Sequence, residues 1–315
     1  MLWLIVALVA ALLLIRLVLH LIDRFWMWLG KGRTLERLEK ARAEGLDEKT
    51  KALAASQERI EQAHAAVKEA RKEHRLTRDE VREVLAAEAN ARVVFMKNMK
   101  MSWYQIVMLF FIGSILGLII EEIWMYITAG LTESRVGLVW GPFSPLYGTG
   151  AVLLTVICYA ISKKGAKWWM IFLISMAVGG LLEQIVGWSM ETFMGAVSWD
   201  YSGVPGCITK WVAVPFLFFW GTLGLAWSKL IMPDLLYRIG EPTTRRQVIF
   251  VALLAAYLAA DIFMTLACFD RVHDRERGIP PRGPFEEWVD QNYGDDFVKS
   301  HFQNMAFTTP TTPEE

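Results

Sequence analysis

The chain has 315 residues, with 33 basic and 33 acidic side chains and no formal net charge at pH 7. Hydrophobic residues make up 54% of it, with 14 Trp and 14 Met, which excludes an ordinary soluble domain and points to membrane-spanning segments. The lack of a basic excess argues against nucleic acid as a partner, and Cys158, Cys207 and Cys268 show no Cys-x-x-Cys or Cys/His spacing that would hold zinc.

The first apolar run, 1–24, has no basic residue before it and no small-residue cleavage site. It reads as a retained anchor, and 1–30 as an anchor domain, rather than a signal peptide. Residues 31–100 are rich in Ala, Glu, Lys and Arg. Leu46, Leu53, Ile60, Val67, His74 and Val81 recur every seventh position, with Ala63 and Ala70 between them. The run Thr77–Glu80 is a capping box flanked by Leu76 and Val81, so a new helix is expected from Arg78. The insert is therefore expected to form an antiparallel coiled-coil hairpin with legs of about 35–40 Å. It serves either as a solvated spacer or as a docking arm for a partner through 34–95.

Five more runs reach the length of a hydrocarbon core of about 30 Å: 102–128, 147–163, 168–188, 211–232 and 247–268. The expected fold is an all-α membrane protein with about six transmembrane helices and the hairpin between the first two. The expected divisions are a four-helix core over 101–232, a linker and last span over 233–268, and an acidic tail over 269–315. Lys31, Arg33, Arg92, Lys97 and Lys100 fall on one side with Lys163, Lys164 and Lys167, and with Arg238, Arg245 and Arg246. That side is expected to be cytoplasmic, with loops 129–147 and 189–210 and both termini outside. Arg271, Arg275, Arg277 and Arg282 run against this rule, although the tail is acidic overall. Cys207 and Cys268 then share a side, where they either pair or, as is commoner, stay free.

In the second run Gly113, Gly117 and Glu121 are spaced four apart; in the fourth so are Gly179, Glu183, Gly187 and Glu191. Small residues at this spacing let helices approach closely. "IIEEIW" resembles "LLEQIV", which suggests a parallel repeat of 102–163 and 168–232; convergent use of Gly and Glu explains it equally well. Glu183 and Asp261 fall at hydrocarbon depth, where a charged carboxylate costs about 2.5–3.5 kcal/mol. They are expected to be protonated, paired or facing a cavity, with Arg135 and Lys210 as the available cations.

The stretch "GPFSPLYG" holds Gly141, Pro142, Phe143, Pro145, Tyr147 and Gly148, with Gly150 just beyond. Its prolines and glycines suggest a re-entrant loop, allowed at membrane depth only when buried or lining a cavity. With Trp199, Asp200 and Tyr201 of the next outer loop it forms either a lid over a polar pocket or a rigid cap.

These residues carry a resemblance. Arg135, Gly137, Gly141, Pro142, Phe143, Pro145, Tyr147, Gly148 and Gly150, then Glu183 and Glu191, then Trp199, Asp200, Tyr201 and Ser202, with Trp220–Gly221 beyond, resemble the bacterial membrane family labelled ABC-transporter type IV permeases. Val136 interrupts the family's Arg-Gly pair, and "CITKWV" replaces an N-x-x-G-R-I element. The resemblance covers about 102–232 and implies a bacterial inner-membrane protein concerned with transport.

No G-x-x-x-x-G-K-[ST] or H-E-x-x-H occurs, so no cofactor, metal or catalytic residue is expected and an ATPase would be a separate chain. The expected function is to bind or move a small solute or lipid through a pocket formed by Glu121, Arg135, Tyr147, Glu183, Glu191, Trp199, Asp200 and Tyr201. The other reading is a scaffold or sensor acting through the coiled coil, with a homo-oligomer open to either. His273–Asp274 reads as a solvated pair in the tail.

Overall fold

The computed structural model describes residues 93–242 and 244–307, together with Arg82, Ala86 and Ala89. The expected first span and nearly all of the expected coiled-coil hairpin lie outside the described residues. The chain divides into two compact units. In the smaller one, which includes 240–253, Thr244 and Gln247 cap each other: each side chain accepts the other's backbone N–H at 3.2 Å.

The larger unit takes in 101–239 and the chain from Leu254 onward. Its helices are α1 (Trp103–Ala129), α2 (Pro145–Lys163), α3 (Trp168–Met194), α4 (Val214–Ala226) and α5 (Met232–Ile239). A single π-helical turn, Trp227–Ile231, joins α4 to α5. Next come α6 (Arg245–Glu276), which begins in the smaller unit, then α7 (Pro284–Asn292) and α8 (Asp295–His301). Four short strands, β1 (Ala196–Val197), β2 (Cys207–Thr209), β3 (Val212–Ala213) and β4 (Ala306–Phe307), make two hairpin-sized sheets, β1 with β4 and β2 with β3.

Among the described residues five helical segments are long and apolar enough to cross a membrane: Trp103–Ile127, Pro145–Lys163, Trp168–Met194, Val214–Ile239 and Arg245–Glu276. On α1, Ile119, Ile123 and Ile127 form an exposed stripe at helical spacing, which suits a face turned to lipid. The chain is a mostly helical membrane protein.

Helix ends differ from the expectation in instructive places. Ser144 is the N-cap of α2 and Pro145 its first residue. Proline fits there because the first helical N–H has no partner to lose. Pro145, Tyr147, Gly148 and Gly150 are therefore helical, not part of a re-entrant loop. The irregular backbone runs from 130 to 144; its second half is folded on itself by Gly137 N–H to Phe143 O at 2.7 Å and tied to α1 by Ser144 N–H to Ser114 O at 3.2 Å. α3 runs on to Met194, where Gly195 at φ 59° ends it. The fifth run opens with the β2–β3 hairpin and continues through the π turn to Ile239, while α6 extends to Glu276.

α1 packs chiefly on α2, and α3 chiefly on α4. Glycines set both contacts. A Cβ on Gly117 would stand 2.3 Å from the Tyr147 ring, and one on Gly179 would stand 2.1 Å from the Trp220 ring. Tyr147 and Trp220 in turn stack at 6.3 Å between centroids.

The acidic tail is folded as far as it is described. Phe269 of α6, Val289 of α7, Val298 of α8 and Phe302 at the end of α8 share one buried cluster. Arg271 of α6 is 1% exposed. It makes a forked pair with Asp290, at 3.0 and 2.7 Å, and reaches Asp274 at 3.0 Å. Arg275 joins Asp290 and Asp295, and Arg282 joins Asp270, Asp274 and Glu286. Asp274 is thus a buried ion-pair partner, not a solvated one. His301 bonds the carbonyl of Leu138 at 3.0 Å and Asn304 donates to Ser198 at 3.0 Å, so the tail covers both loops. Cys207 and Cys268 are free.

Candidate functional site

Two carboxylates on different helices anchor the site. Glu121, near the end of α1, accepts from Arg135 at 2.8 Å. Glu191, one turn from the end of α3, accepts from Lys210 at 2.7 Å. Lys210 lies in the β2–β3 turn, in the segment where the family's basic element is altered. That hairpin lies along α3: Trp211 covers Gly187, and Thr209 donates to Gln184 at 2.7 Å.

Glu183 has neither cation. It is 6% exposed and accepts from the Tyr201 hydroxyl at 3.3 Å, with the Trp220 indole also within bonding reach of the carboxyl; its Oε2 is buried without a close partner. The Tyr201 ring stacks on Phe216 at 4.2 Å. Burial, with the Glu183 carboxyl beside it, pushes the Tyr201 phenol well up, so it remains a donor. Tyr147 stands within electrostatic reach of Glu121, Glu183 and Tyr201, joining the two carboxylates in one cluster.

Asp200 stands apart. It is exposed and accepts the Ser202 N–H at 2.8 Å; bonding from Ser202 holds its carboxyl below the usual range. Trp199 donates its indole N–H to Trp211 O at 3.2 Å. Asp261 serves the loop: Trp140 N–H donates to it at 2.9 Å, while the neighbouring Thr265 hydroxyl accepts from Val139 N–H at 3.0 Å. Tyr257 adds a bond to Trp140 O at 2.8 Å. Gly141, Pro142 and Phe143 are thereby clamped on α6, and Phe143 packs there against Leu258.

Beneath the loops lies a cavity of about 200 Å³. Glu121, Arg135 and Trp199 line it; Tyr147, Glu183, Glu191, Asp200 and Tyr201 do not. Its remaining wall is mostly apolar, with Leu146, Val186 and Met190 on one side and Phe269 and Met305 on another. The pocket is therefore not the polar chamber that the loop composition suggests. Phe269 and Met305 come from the folded tail, where nothing in the local sequence marks them as pocket residues. Trp220 was legible only as part of the family pattern; its glycine partner four positions before Glu183 was the available signal. Among the described residues no group of three or more His, Cys, Asp or Glu is placed to hold a metal ion.

No curated protein and no solved structure matches the chain. A family model does match over residues 108–266, half of the chain, which takes in most of α1, all of α2 to α5 and most of α6 and leaves α7 and α8 outside. With its membrane helices and its loop motifs clamped in place, the chain belongs to the family described as "Putative ABC-transporter type IV".

Proposed function

We propose that this transporter-like membrane protein is a permease-type subunit, not an enzyme, and that it binds a small apolar or amphiphilic solute in the cavity beside Glu121 and Arg135. The observation that carries this is the cavity's make-up: an apolar chamber with one ion pair in its wall, where the Arg135 Nε is buried without a partner. Such a wall suits a ligand with an apolar body and one polar end. A volume of about 200 Å³ is smaller than the usual 300–1,000 Å³ of drug-sized sites, so it fits a small solute or part of a lipid. The basic residues at the α2–α3 and α5–α6 connections favour a cytoplasmic location for that end of the helices, in a bacterial inner membrane, with the cavity toward the outside. Nucleotide-driven movement would require a separate ATPase chain.

The test fills the cavity. Trp124 and Phe219 already pack together elsewhere in the same helix set, at 6.1 Å, so large aromatics are compatible with this packing. Leu146→Phe with Val186→Trp should leave the protein monodisperse in mild detergent. It should also remove the small molecule that native mass spectrometry finds on the protein purified from its own membrane. A filled variant that carries the same molecule in the same amount, or a wild-type protein that carries none, would rule the cavity out as the binding site.

A further inference from the structure

The contacts inside the α1–α2 hairpin recur, residue for residue, inside the α3–α4 hairpin. Gly117 is closed by Tyr147, and Gly179 by Trp220. Gly148 lies against Phe110 and Ser114, and Gly221 against Phe172 and Met176. Gly113 meets Ala151, and Ser175 meets Gly224. One constant interval carries every α1 residue in this set to its α3 counterpart, and a second constant interval carries every α2 residue to α4. The sequences follow the same register. "MLFFIGSILGLIIEEI" from Met108 and "MIFLISMAVGGLLEQI" from Met170 share Met, Phe, Ile, Gly, Glu and Ile at matching places. Pro142–Phe143 and Tyr147–Gly148–Thr149 match Pro215–Phe216 and Trp220–Gly221–Thr222. Independent use of glycine at helix contacts would not hold one register in both helices at once. The two aromatics stacked between the hairpins, Tyr147 and Trp220, are themselves counterparts.

This equivalence places Glu121 and Glu183 in the same position of two copies, and their surroundings differ in one respect. Glu121 has Arg135 at 2.8 Å. In the second copy the loop's basic residue, Lys210, is bound to Glu191 instead. The groups facing Glu183 are Tyr201 from the loop, Trp220 from α4 and, through the cluster, Tyr147 from α2 and Glu121 from α1. None of them is a cation. A carboxylate at this depth, buried and with a bare oxygen, is strongly disfavoured, and one proton removes the charge.

We infer that the two hairpins are copies of one unit and that Glu183, which has no counter-cation among the described residues, is a proton-binding site in the membrane core, while Arg135 keeps Glu121 as a carboxylate. The exchange is a single proton added to or removed from one carboxyl oxygen, with Tyr201 donating to the other. It takes no part of the cavity wall, so it stands or falls independently of the solute.

Infrared difference spectroscopy on the purified full chain reads this directly. The wild-type spectrum should contain a protonated-carboxylic-acid C=O stretch that is wholly absent from Glu183→Gln and that shifts in heavy water. Arg135→Leu should add a second such band, removed again by Glu121→Gln. Should Glu183→Gln fail to fold, Glu183→Asp must keep the acid band at a displaced position. Loss of a carboxylate band instead of an acid band in Glu183→Gln, or an acid band that heavy water leaves unmoved, overturns the inference.

Discussion

Replacing Arg271 by Met tests whether the folded tail is held by charge or by its apolar cluster. Two effects compete. Removing a buried charge relieves its desolvation, and swapping whole buried ion pairs for apolar residues is often neutral. Removing one partner, however, strands the others and costs about 3–5 kcal/mol. Here the partners remain: among the described residues, Asp290, Asp274 and Glu286 are left with Arg275 and Arg282. Asp290 keeps Arg275 and Asp274 keeps Arg282, so the expected loss is near the lower end, about 3 kcal/mol. That corresponds to a rise of roughly a hundredfold in amide hydrogen exchange across α7 and α8, with α1–α4 unchanged. Arg271→Lys should fall between, because an ammonium cannot reproduce the forked bond to Asp290. Exchange in α7 that changes less than about fivefold in Arg271→Met, roughly 1 kcal/mol, would mean that the cluster around Phe269 and Phe302 holds the tail unaided.

The same lattice predicts a pH response. The bond from Arg271 depresses the Asp290 carboxyl, and the backbone N–H of Arg282 depresses that of Glu286. Folded values below the unfolded ones of about 3.9 and 4.3 give stability that is complete above roughly pH 5. It is lost as pH falls through those values, so exchange in α7 should rise on acidification, and Asp290→Asn should weaken that dependence. In the membrane core, Gly179→Ala places a methyl 2.1 Å from the Trp220 ring and Gly117→Ala places one against the Cβ and ring of Tyr147. Each should cost about 1–3 kcal/mol by overpacking, seen as a lower melting point in detergent; Gly203→Ala, with open space around it, is the control.

The spans were legible because hydropathy over a membrane-length window is a local property, and the runs that become α1 and α3 begin within a residue of where they were expected. What was not legible depended on distant partners. Nothing within 284–301 announces that α7 and α8 form a folded layer; their acidic side chains read as solvent-facing until Arg271 and Arg275 arrive from α6. The cavity was unreadable for the same reason, since Phe269 and Met305 close it from that layer. At Pro145 the error was one of sign. Proline and glycine read locally as excluding helix, whereas proline starts α2 and its glycines are filled by Ser114 and Trp220.

The two copies also differ in their loops: the structural counterpart of "VWGPFSPLYG" is "VAVPFLFFWG", displaced along the chain because the second copy carries the β2–β3 hairpin in its loop. The side chains at equivalent places in the two copies differ in a way that bears on function. Trp124 of α1 and Phe219 of α4 pack together, and the same two intervals carry them to Val186 of α3 and Leu146 of α2, both in the cavity wall. Two large rings fill the place in one half; two smaller side chains leave space in the other. The cavity is open where Arg135 neutralises its carboxylate, and closed by aromatics on the side where Glu183 has no cation among the described residues. A duplicated scaffold has thus been divided into a half with room for a ligand and a half with an uncompensated acid, and Tyr147 stands within reach of both.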